Sequence, residues 1–508
     1  MVYWTSVTLF IGLAFTLLFM LLNYIHQYWK RKGIPQLEPI HLIFGNYKPM
    51  VTGETSLQNF FLDLYRKVKV LGYPYMGLYN MCYPTLMPVN LELIKRILSK
   101  DYNYFDSHGF YSHKSDVFSM NLFNIEGNVW KNRRTKMTPA FSSGKIKLML
   151  ETLLEKASQL TNVLKNVADS KKPIDLKDIL LRYSTDVIGN VAFGLNVDTL
   201  TDPSDKFSEL GKKALKPSLI KMAIETILPH NLLRLLRYQT TPKDVREYFI
   251  KVVLDTMNFR TKHNIERNDF MQMMIQLNKT GSLNADPSKT DSKLSLTIDE
   301  VISESFLIYL AGHETSASTS TFACFELAQP QNHYIQEKLR EEILESLKKH
   351  NEKLTYEGIT EMEYLDKVVR ETLRKYPVVS ILPRVCSRDY VIPNTNIVIK
   401  KGTNIPIPVI GIHMDEEYYP SPEVFNPENF SKENVASRPD FAWLPFGDGP
   451  RQCLGMRFGY LQVKVVIATL LSKFRFTLDE SMKPPYEADR GSLVYMFKNP
   501  VMLKVTNV

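Results

Sequence analysis

The sequence predicts a mainly α-helical protein with small β-sheets, preceded by an N-terminal transmembrane helix. Apolar residues recur at helical spacing through most of the 508 residues, and three short stretches rich in Tyr, Leu and Val lie between turn residues, as strands do. The third observation is the almost wholly apolar run Tyr3–Ile25. With 44% hydrophobic and 23% charged residues, the composition excludes disordered, collagen-like and coiled-coil chains.

The N-terminal segment has the length and the flanks of a membrane anchor. Residues 1–29 contain no formally charged side chain, and Tyr3–Ile25 as a helix covers about 34 Å at about 1.5 Å per residue. That length spans a bilayer core of about 30 Å. Lys30-Arg31-Lys32 follows at once, so the basic end and the body are expected in the cytosol. Aromatic residues lie where an interfacial belt belongs: Tyr3, Trp4, Tyr24, Tyr28 and Trp29.

A cleaved signal peptide is the alternative interpretation of this segment. It is disfavoured because the positive n-region is missing, the apolar stretch is too long and no small-residue cleavage site is evident. We therefore predict residues 1–29 as a retained anchor and residues 30–508 as the globular body. Gly33-Ile34-Pro35 and Pro39 cannot continue a helix, so a stiff hinge is expected between the two.

The body shows no internal repeat and no long linker, which favours one large domain. Helices outnumber strands well beyond ordinary proportions. Helices are predicted at Leu91–Leu98, Lys145–Val167, Leu176–Phe193, Lys243–His263, Ile298–Leu327, Ile335–Lys349, Tyr364–Tyr376 and Leu454–Leu471, and small sheets at Tyr73–Asn90, Val391–Ile410 and Ser492–Val505.

Two further segments differ in composition from the rest. Asn278–Lys293 is the most polar interval and is predicted as a surface loop. Leu215–Tyr238 mixes apolar clusters with Lys221, Arg234 and Arg237, which is typical of an amphipathic segment lying on a membrane surface. A core-facing helix explains the second segment equally well, so both interpretations stay open.

Charge and cysteine usage narrow the class of protein only partly. The net charge of +9 suits an acidic partner, a membrane surface or nucleic acid equally, and no nucleic-acid motif is present. Four cysteines in so long a chain are too few and too scattered for a disulfide framework, which indicates a reducing compartment. A functional cysteine is therefore expected to act alone.

Cys453 lies in a glycine-rich turn, Phe446 to Gly455, immediately before an apolar helix. Because a helix N-terminus stabilises negative charge, the pattern predicts a thiolate at Cys453. Gly449 and Gly455 let the backbone approach a flat ligand, and Phe446 can cover the sulfur. One thiolate without a nearby His or Cys cannot build a tetrahedral zinc or iron–sulfur site, but it suits an axial ligand of haem. A buried structural thiol is the alternative.

The spacing Phe-x-x-Gly-x-Arg-x-Cys-x-Gly is complete from Phe446 to Gly455 and resembles the haem-binding loop of the cytochrome P450 superfamily. The resemblance runs along the whole body, and it is most similar to the insect microsomal, xenobiotic-metabolising branch. It implies the cytochrome P450 fold, with Cys453 as the metal ligand and with Phe446, Arg451 and Gly455 against haem. Electron donation by such a thiolate, which favours O–O cleavage, is an established property of the family.

Ala311-Gly312-His313-Glu314-Thr315 lies midway along the predicted helix Ile298–Leu327, which begins with a capping box at Thr297 and Glu300. A glycine in mid-helix, and a hydroxyl that bonds back to the preceding turn, predict a local distortion at this point. Close helix packing alone would explain the glycine. Beside the cysteine loop, the segment resembles the family's oxygen-binding groove.

That resemblance implies roles for the four residues of the groove. Ala311 and Gly312 are expected against haem. Splitting O2 requires two protons, and the Thr315 hydroxyl beside the Glu314 carboxylate can relay them from water as the catalytic pair.

Haem carries two propionates, which need cationic or N–H donors. Trp130-Lys131-Asn132-Arg133-Arg134 resembles the family's Trp-x-x-x-Arg stretch, so Trp130 and Arg134 are expected to bind propionate, as are Arg451 and Arg384. His108 falls where related insect sequences carry arginine and is a further candidate. A lone histidine is otherwise a satisfied core or surface residue.

Glu371-Thr372-Leu373-Arg374 places an acid and a base on one helix face, which in isolation predicts a surface ion pair. In the family this pair is buried and helps to hold the cysteine-loop side of the fold. The family adds an arginine where this chain has Asn429, so the network is expected to be weaker or rearranged.

The resemblance implies a haem-thiolate monooxygenase of the unspecific type, with residues 30–508 as its catalytic domain in the endoplasmic reticulum membrane. The expected cofactors are haem b and, indirectly, NADPH. NADPH–cytochrome P450 reductase and cytochrome b5 are the expected partners, together with a lipophilic small-molecule substrate. A basic patch of Lys131, Arg133, Lys136 and Arg457 would receive the acidic reductase, unless it is only a solvated face.

The substrate pocket follows from the family only by position, and core packing explains each residue equally well. Two rival functions stay open: a haem-thiolate isomerase or dehydratase that needs no external electrons, and a non-enzymatic haem-binding or sensor protein. The pocket residues implied are Phe110, Phe123, Phe306, Leu310, Val379, Ile381 and Leu382.

Overall fold

The computed structural model describes residues 2–215, 221, 224–225, 228–283 and 295–508, and within them the fold is mainly α-helical with small sheets, as predicted. Two segments that the sequence singled out, Leu215–Tyr238 and Asn278–Lys293, lie partly outside the described residues. The helices are α1 (Val2–Ile25), α2 (Tyr28–Arg31), α3 (Lys48–Val51), α4 (Leu57–Val70), α5 (Leu91–Lys95), α6 (Gly127–Met137), α7 (Ser143–Leu148), α8 (Leu150–Ser170), α9 (Leu176–Phe193), α10 (Lys206–Leu215), α11 (His230–Leu235), α12 (Lys243–His263), α13 (Phe270–Thr280), α14 (Ile298–Leu327), α15 (His333–Lys349), α16 (Tyr356–Glu361), α17 (Glu363–Lys375), α18 (Val409–His413), α19 (Lys432–Ser437) and α20 (Met456–Leu471).

Three helices have the predicted bounds, α9, α12 and α14, because capping residues delimit them. The α9 helix begins after Asp175, whose carboxylate accepts the Lys177 N–H, and ends at Gly194 in the left-handed region. The α14 helix begins with the predicted capping box of Thr297 and Glu300. Local sequence therefore contains the signals for these ends, although the start of α9 is also held by hydrogen bonds to Val501.

The strands form three small sheets. β1 and β2 make the hairpin predicted at Tyr73–Asn90, and the sheet order is β1-β2-β7-β4, with separate sheets β3-β9-β8 and β5-β6. The predicted strand Ser492–Val505 is wrong before Met502, because Pro500 lacks the backbone donor that a sheet ladder needs. The strands are β1 (Tyr75–Asn80), β2 (Tyr83–Pro88), β3 (Ile174–Asp175), β4 (Leu382–Val385), β5 (Tyr390–Val391), β6 (Val398–Ile399), β7 (Asn404–Ile407), β8 (Phe474–Leu478) and β9 (Met502–Asn507).

The long helix α14 is the centre of the body. It packs against α9, α17 and α20, and its buried residues belong to the main hydrophobic core. A second core lies between the β1-β2-β7-β4 sheet and α4. The distortion expected within α14 does not interrupt it: the backbone is α-helical from Ile298 to Leu327. The Thr315 hydroxyl nevertheless bonds back to the Ala311 carbonyl at 2.6 Å, as predicted.

The apolar helix α1 has the properties expected of a membrane anchor. Its segment Ser6–Ile25 has a mean hydropathy of 2.1, and none of it is buried against the body. The sequence placed Trp29 in an aromatic belt at the membrane interface, and that prediction is wrong. Trp29 is 0% exposed, and its indole Nε1 donates to the Leu78 carbonyl at 2.9 Å.

The segment after the anchor is held by the sheet and is no free hinge. The Gly77 N–H donates to the Pro35 carbonyl at 2.8 Å, and the Leu37 N–H donates to the Gly77 carbonyl at 3.0 Å. A Cβ at Gly77 would lie 2.4 Å from Trp29 Cγ, so the sheet position must be glycine for the indole to dock. His26 is buried beside this contact, so the body begins before residue 30.

Replacing Trp29 with alanine is expected to destabilise the body by about 3–5 kcal/mol, because the large buried ring leaves a cavity. Urea unfolding of the full chain in detergent measures the loss. Trp4→Ala is the matched control, since Trp4 is exposed on α1 and its loss should leave the unfolding midpoint unchanged. Equal midpoints for both variants would contradict the docking of Trp29 on the sheet.

Candidate functional site

The cysteine loop is fixed by its own backbone. The Cys453 N–H donates to the Phe446 carbonyl at 2.9 Å, and the Gly447 N–H donates to the Leu444 carbonyl at 3.0 Å. Gly449 has φ +72°, and a Cβ there would lie 2.0 Å from the Leu98 carbonyl oxygen. Gly449 is therefore needed for the turn and for the approach of Leu98, and its closeness to a flat ligand stays a prediction.

The Cys453 side chain is solvent-accessible, yet desolvation by the surrounding protein raises the pKa of its thiol. The two facts fit together if the sulfur faces an interior space. The Gly455 N–H and Arg134 lower this pKa, but they do not outweigh burial. Burial therefore opposes the stabilisation of a thiolate that is expected from the helix N-terminus. A metal cation bound here would supply that stabilisation, since a coordinating thiol is deprotonated outright.

Other loop residues leave room around the sulfur. Gly455 caps the start of α20, and a Cβ there would meet Phe141 only at 3.8 Å, so protein packing does not require this glycine. The Phe446 ring packs on Tyr460 with centroids 5.1 Å apart. A flat ligand beside Cys453 would account for both the glycine and the half-buried aromatic ring.

Apolar side chains are accessible inside the body. Ala311 is exposed although Tyr309 and His313, on the same helix, are buried, so it faces an interior space. The prediction for Phe306 is wrong: it is buried and packs on Phe118 with centroids 4.4 Å apart, so it belongs to the core. Accessible pocket candidates are Phe110, Phe123 and Val379, while Leu310, Ile381 and Leu382 are half-buried.

Gly312 and Thr315 sit differently on α14. A Cβ at Gly312 would lie 2.4 Å from Ile188 Cδ1 of α9, so helix packing explains this glycine. The predicted contact of Gly312 with a cofactor is not needed to explain this glycine. That contact stays a prediction and would involve only the backbone of Gly312. Thr315 and Glu314 are both half-buried.

Three arginines from separate elements converge near the cysteine loop. Arg384 on β4 and Arg451 in the loop are buried, and desolvation lowers their pKa values to about 10 and about 9. Arg134 on α6 donates to the Gln452 carbonyl at 2.8 Å. Arg384 and Arg134 each repel the Arg451 charge. Among the described residues, none of the three has a carboxylate within ion-pair distance.

Backbone carbonyls hold the two terminal nitrogens of the Arg451 guanidinium. Its Nη1 donates to the Leu122 carbonyl at 3.3 Å, and its Nη2 donates to the Asp106 carbonyl. Its Nη2 also donates to the Ile125 carbonyl at 2.8 Å, and its planar group stacks 4.1 Å above the Trp130 ring. Its buried Nε has no partner in the part of the chain that is described. His108 lies nearby, because both Arg384 and Arg451 lower its pKa, although burial is the larger cause. Its Nδ1 lies 2.8 Å from the Phe123 carbonyl.

This donor set fits haem. The charges of Asp106 and Glu126 reach Arg451 only from beyond ion-pair distance. Because a buried guanidinium is costly to leave charged, a ligand with two carboxylates would stabilise Arg384 and Arg451. One accessible cysteine supplies a thiolate for iron, and no cluster of three or more His, Cys, Asp or Glu side chains able to hold a metal ion occurs in the described residues. Arg384, Arg451 and Cys453 are therefore arranged for a flat anion that carries a metal.

The pair Glu371 and Arg374 is fully buried on α17, as the resemblance implied. Two guanidinium nitrogens of Arg374 each donate to a Glu371 oxygen at 2.8 Å. Asn429 Nδ2 lies 3.2 and 3.3 Å from the two Glu371 oxygens, so it replaces the family's arginine as a neutral donor. Arg438, which the sequence analysis missed, donates to the Asn429 carbonyl at 2.5 Å and brings a charge near Glu371.

The basic patch is smaller than the sequence suggested. Arg133 is buried, and its Nη1 donates to Glu304 on α14 at 2.8 Å, so its place on a docking surface is wrong. Desolvation raises the pKa of Glu304 to about 7 in spite of this partner. Lys131 and Arg457 are exposed, while Lys136 Nζ bonds to the Ser295 carbonyl at 3.3 Å. Sequence spacing cannot tell which of the adjacent residues Arg133 and Arg134 is buried against Glu304 and which one faces the cysteine loop.

His313 should make the folded state sensitive to acid. Burial, aided by Lys212, lowers its pKa to about 4, and the ring stacks on Tyr309. The pKa of His313 in the unfolded chain is about 6.5. The folded state with its neutral ring is therefore fully stable above that pH, and the free energy of unfolding falls by about 1.4 kcal/mol per pH unit towards pH 4. Between pH 7 and pH 5, the free energy of unfolding should fall by about 2 kcal/mol more than in His313→Phe. Urea unfolding at both pH values measures it, and parallel losses would contradict it.

Comparison with known proteins agrees with this geometry. The sequence profile of the family described as Cytochrome P450 matches residues 35–505. The chain is 38% identical over 501 residues to "Probable cytochrome P450 6a23" of Drosophila melanogaster, covering 97% of this chain and 98% of that protein. It is 39% identical over 486 residues to "Cytochrome P450 6A1" of Musca domestica, covering 94% and 93% respectively.

The matched region contains the cysteine loop, the central helix and the converging arginines. The family profile covers almost the whole body, so the similarity extends to nearly all of the fold. Members of this family hold haem through a cysteine thiolate and are monooxygenases. The chain belongs to the cytochrome P450 family.

Proposed function

We propose that this monooxygenase is bound to the endoplasmic reticulum membrane and oxidises lipophilic small molecules, with electrons passed from NADPH by a flavoprotein reductase. The observation that carries the proposal is the accessible but desolvated Cys453 sulfur beside buried Arg384 and Arg451, neither of which has a carboxylate within ion-pair distance among the described residues. Haem b is the cofactor that this donor set would hold. Its carboxylates would bind Arg384 and Arg451, with Trp130 and Arg134 beside them.

Bound haem supplies the oxygen chemistry, in which two electrons from NADPH reduce one atom of O2 to water and the other atom enters the substrate. The protein contributes binding, water exclusion and protons. Cys453 Sγ would hold the metal, and Phe446 would shield the sulfur. The accessible side chains Phe110, Phe123 and Val379 are apolar, so a substrate gains free energy by leaving water.

Thr315 and Glu314 are proposed as the groups that hold and pass the two protons of this reaction. The Thr315 hydroxyl donates to the Ala311 carbonyl, which leaves its lone pairs able to accept from water. The half-buried Glu314 carboxylate can exchange protons with solvent.

Thr315→Ala is expected to uncouple the enzyme: NADPH is still consumed, but peroxide is released in place of product. Product per NADPH should fall at least about tenfold, because a positioned proton donor contributes about 100-fold or more. Parallel assays of NADPH, peroxide and product measure this ratio. Thr321→Ala is the matched control, since Thr321 makes the same bond to its own helix, to the Ala317 carbonyl at 2.8 Å. Unchanged coupling in Thr315→Ala would remove the hydroxyl from the relay.

The electron donor is proposed to dock near Lys131 and Arg457, which are exposed. NADPH–cytochrome P450 reductase is the proposed donor, and cytochrome b5 a second one. Opposite charges on the two proteins would speed their encounter, so turnover supported by reductase should fall as salt rises.

The proposed topology has the N-terminus in the lumen and the body in the cytosol. It rests on the apolar α1 helix and on the basic residues Lys30 to Lys32 that follow. In sealed microsomes, protease added outside should digest the body, and protection of the body would reverse the orientation.

The decisive experiment combines a spectrum with turnover. The purified holoprotein should show the thiolate signature of the reduced carbon monoxide complex, and with reductase and NADPH it should oxidise members of a lipophilic substrate panel. Turnover without NADPH would instead favour an isomerase or dehydratase. A thiolate signature without electron uptake from the reductase would favour a haem-binding or sensor protein.

A further inference from the structure

The position of Cys453 depends on the chain segment that precedes its loop. The loop bonds to itself through the Phe446 and Leu444 carbonyls, which accept from Cys453 and Gly447 respectively. Whatever holds Leu444 therefore also holds the sulfur. Leu444 is buried, so its backbone N–H needs an acceptor within the protein.

That acceptor is a histidine ring from another element. The Leu444 N–H donates to His413 Nε2 at 2.8 Å, and His413 is fully buried at the end of α18. Because Nε2 accepts, the ring proton of the neutral histidine must be on Nδ1. Nδ1 makes no hydrogen bond of good geometry among the described residues, although the backbone of Arg374 and Leu373 lies close enough to favour its proton.

The backbone of His413 is tied to the buried ion pair. Arg374 Nη1 donates to the His413 carbonyl at 3.1 Å, while the same guanidinium binds Glu371. The contacts run without a break from Glu371 through Arg374 and His413 to Leu444. A second brace lies alongside, where the Tyr419 hydroxyl donates to the Ala442 carbonyl at 2.9 Å.

The surroundings keep the ring neutral. Burial is the main cause, and the nearby Arg374 and Arg438 add to it, so the pKa of His413 is lowered to about 3. The other ring facing it is Tyr419, with centroids 6.4 Å apart. The acceptor on Nε2 is therefore available across the physiological pH range.

We propose that His413 is a positioning residue, which transmits the fixed position of the Glu371–Arg374 pair to the cysteine loop so that Cys453 Sγ can bind iron. The inference rests on the proposed haem-thiolate function, and it assigns to His413 a role in ligand geometry. His413 touches neither substrate nor cofactor.

Two amide substitutions at His413 have the same polar group but differ in side-chain length. In His413→Gln the side-chain oxygen can occupy the place of Nε2 and accept the Leu444 N–H, whereas in His413→Asn the side chain is too short to reach it. The unpaired buried N–H should shift the balance between placed and displaced loops by roughly 5- to 150-fold. Gln336→Leu is the matched control, because Gln336 Oε1 accepts the buried Phe476 N–H at 2.9 Å in another part of the body.

The holoproteins are compared by three measurements: the fraction of the reduced carbon monoxide complex with the thiolate signature, the rate of haem transfer to apomyoglobin, and the melting temperature. His413→Asn should lose the thiolate signature and release haem faster than the unmodified protein. His413→Gln should keep the signature and the haem-release rate of the unmodified protein. Gln336→Leu should lower only the melting temperature. If His413→Asn keeps the full signature, or if His413→Gln loses it as fully as His413→Asn, the positioning role is overturned. A missing signature in the unmodified protein overturns the proposed function as well. Failure of the positioning role alone is therefore distinguished from failure of the proposed function.

Discussion

Cys453→Ala is expected to abolish both the thiolate signature of the reduced carbon monoxide complex and all NADPH-dependent product formation. Alanine offers no metal ligand, and the described residues include no group of three or more His, Cys, Asp or Glu side chains that could hold the metal instead. The fold should survive, because the Cys453 side chain is accessible and contributes little to the core. Difference spectroscopy and product assays measure the two losses, and circular dichroism checks the fold.

Cys82→Ala is the matched control for this loss. Cys82 is the other cysteine that is not buried, and it lies in the turn between β1 and β2. Its replacement should leave the spectrum and the turnover unchanged. A thiolate signature that persists in Cys453→Ala would refute the ligand assignment, and with it the roles proposed for Thr315 and the arginines.

Glu371→Ala is expected to destabilise the protein by about 3–5 kcal/mol. The substitution leaves the Arg374 charge fully buried without its carboxylate, and removing one partner of a buried ion pair typically costs that much. The Asn426 N–H, which donates to Glu371 at 2.9 Å, also loses its acceptor. Urea unfolding of the holoprotein measures the change in the free energy of unfolding.

Two comparisons test the cause of this instability. Glu363→Ala breaks an exposed pair with Lys432 and should cost less than about 1 kcal/mol. The double variant Glu371→Leu with Arg374→Met removes both charges, and it should recover much of the stability lost in Glu371→Ala. A double variant as unstable as Glu371→Ala would show that the unpaired charge is not the cause.

Local sequence predicted the elements whose signals are local. The capping residues of α9 and α14, the β1–β2 hairpin and the apolar α1 helix follow from side chains close to them in the chain. The helix α4 and the strand β4 were missed, because their stabilising partners lie far away in the sequence. Arg384 was nevertheless named as a site residue, through the resemblance alone.

The site residues also differ in whether local sequence could predict them. The spacing from Phe446 to Gly455 predicts Cys453 as the ligand, since a turn motif is contiguous in the chain. Burial is not contiguous, so sequence could not tell that Arg133 is buried against Glu304, or that Phe306 belongs to the core. Trp29 was placed in the membrane interface for the same reason.

Sequence by itself determined the family and the membrane-spanning length of the N-terminal helix, and it selected the cysteine proposed as the ligand, because each depends on the order of neighbouring residues. Tertiary structure decided which charges lack partners, how Asn429 and Arg438 take the place of the family's arginine, and why His413 reaches the cysteine loop. These depend on desolvation and on contacts between residues far apart in the chain, and both arise only when the chain is folded.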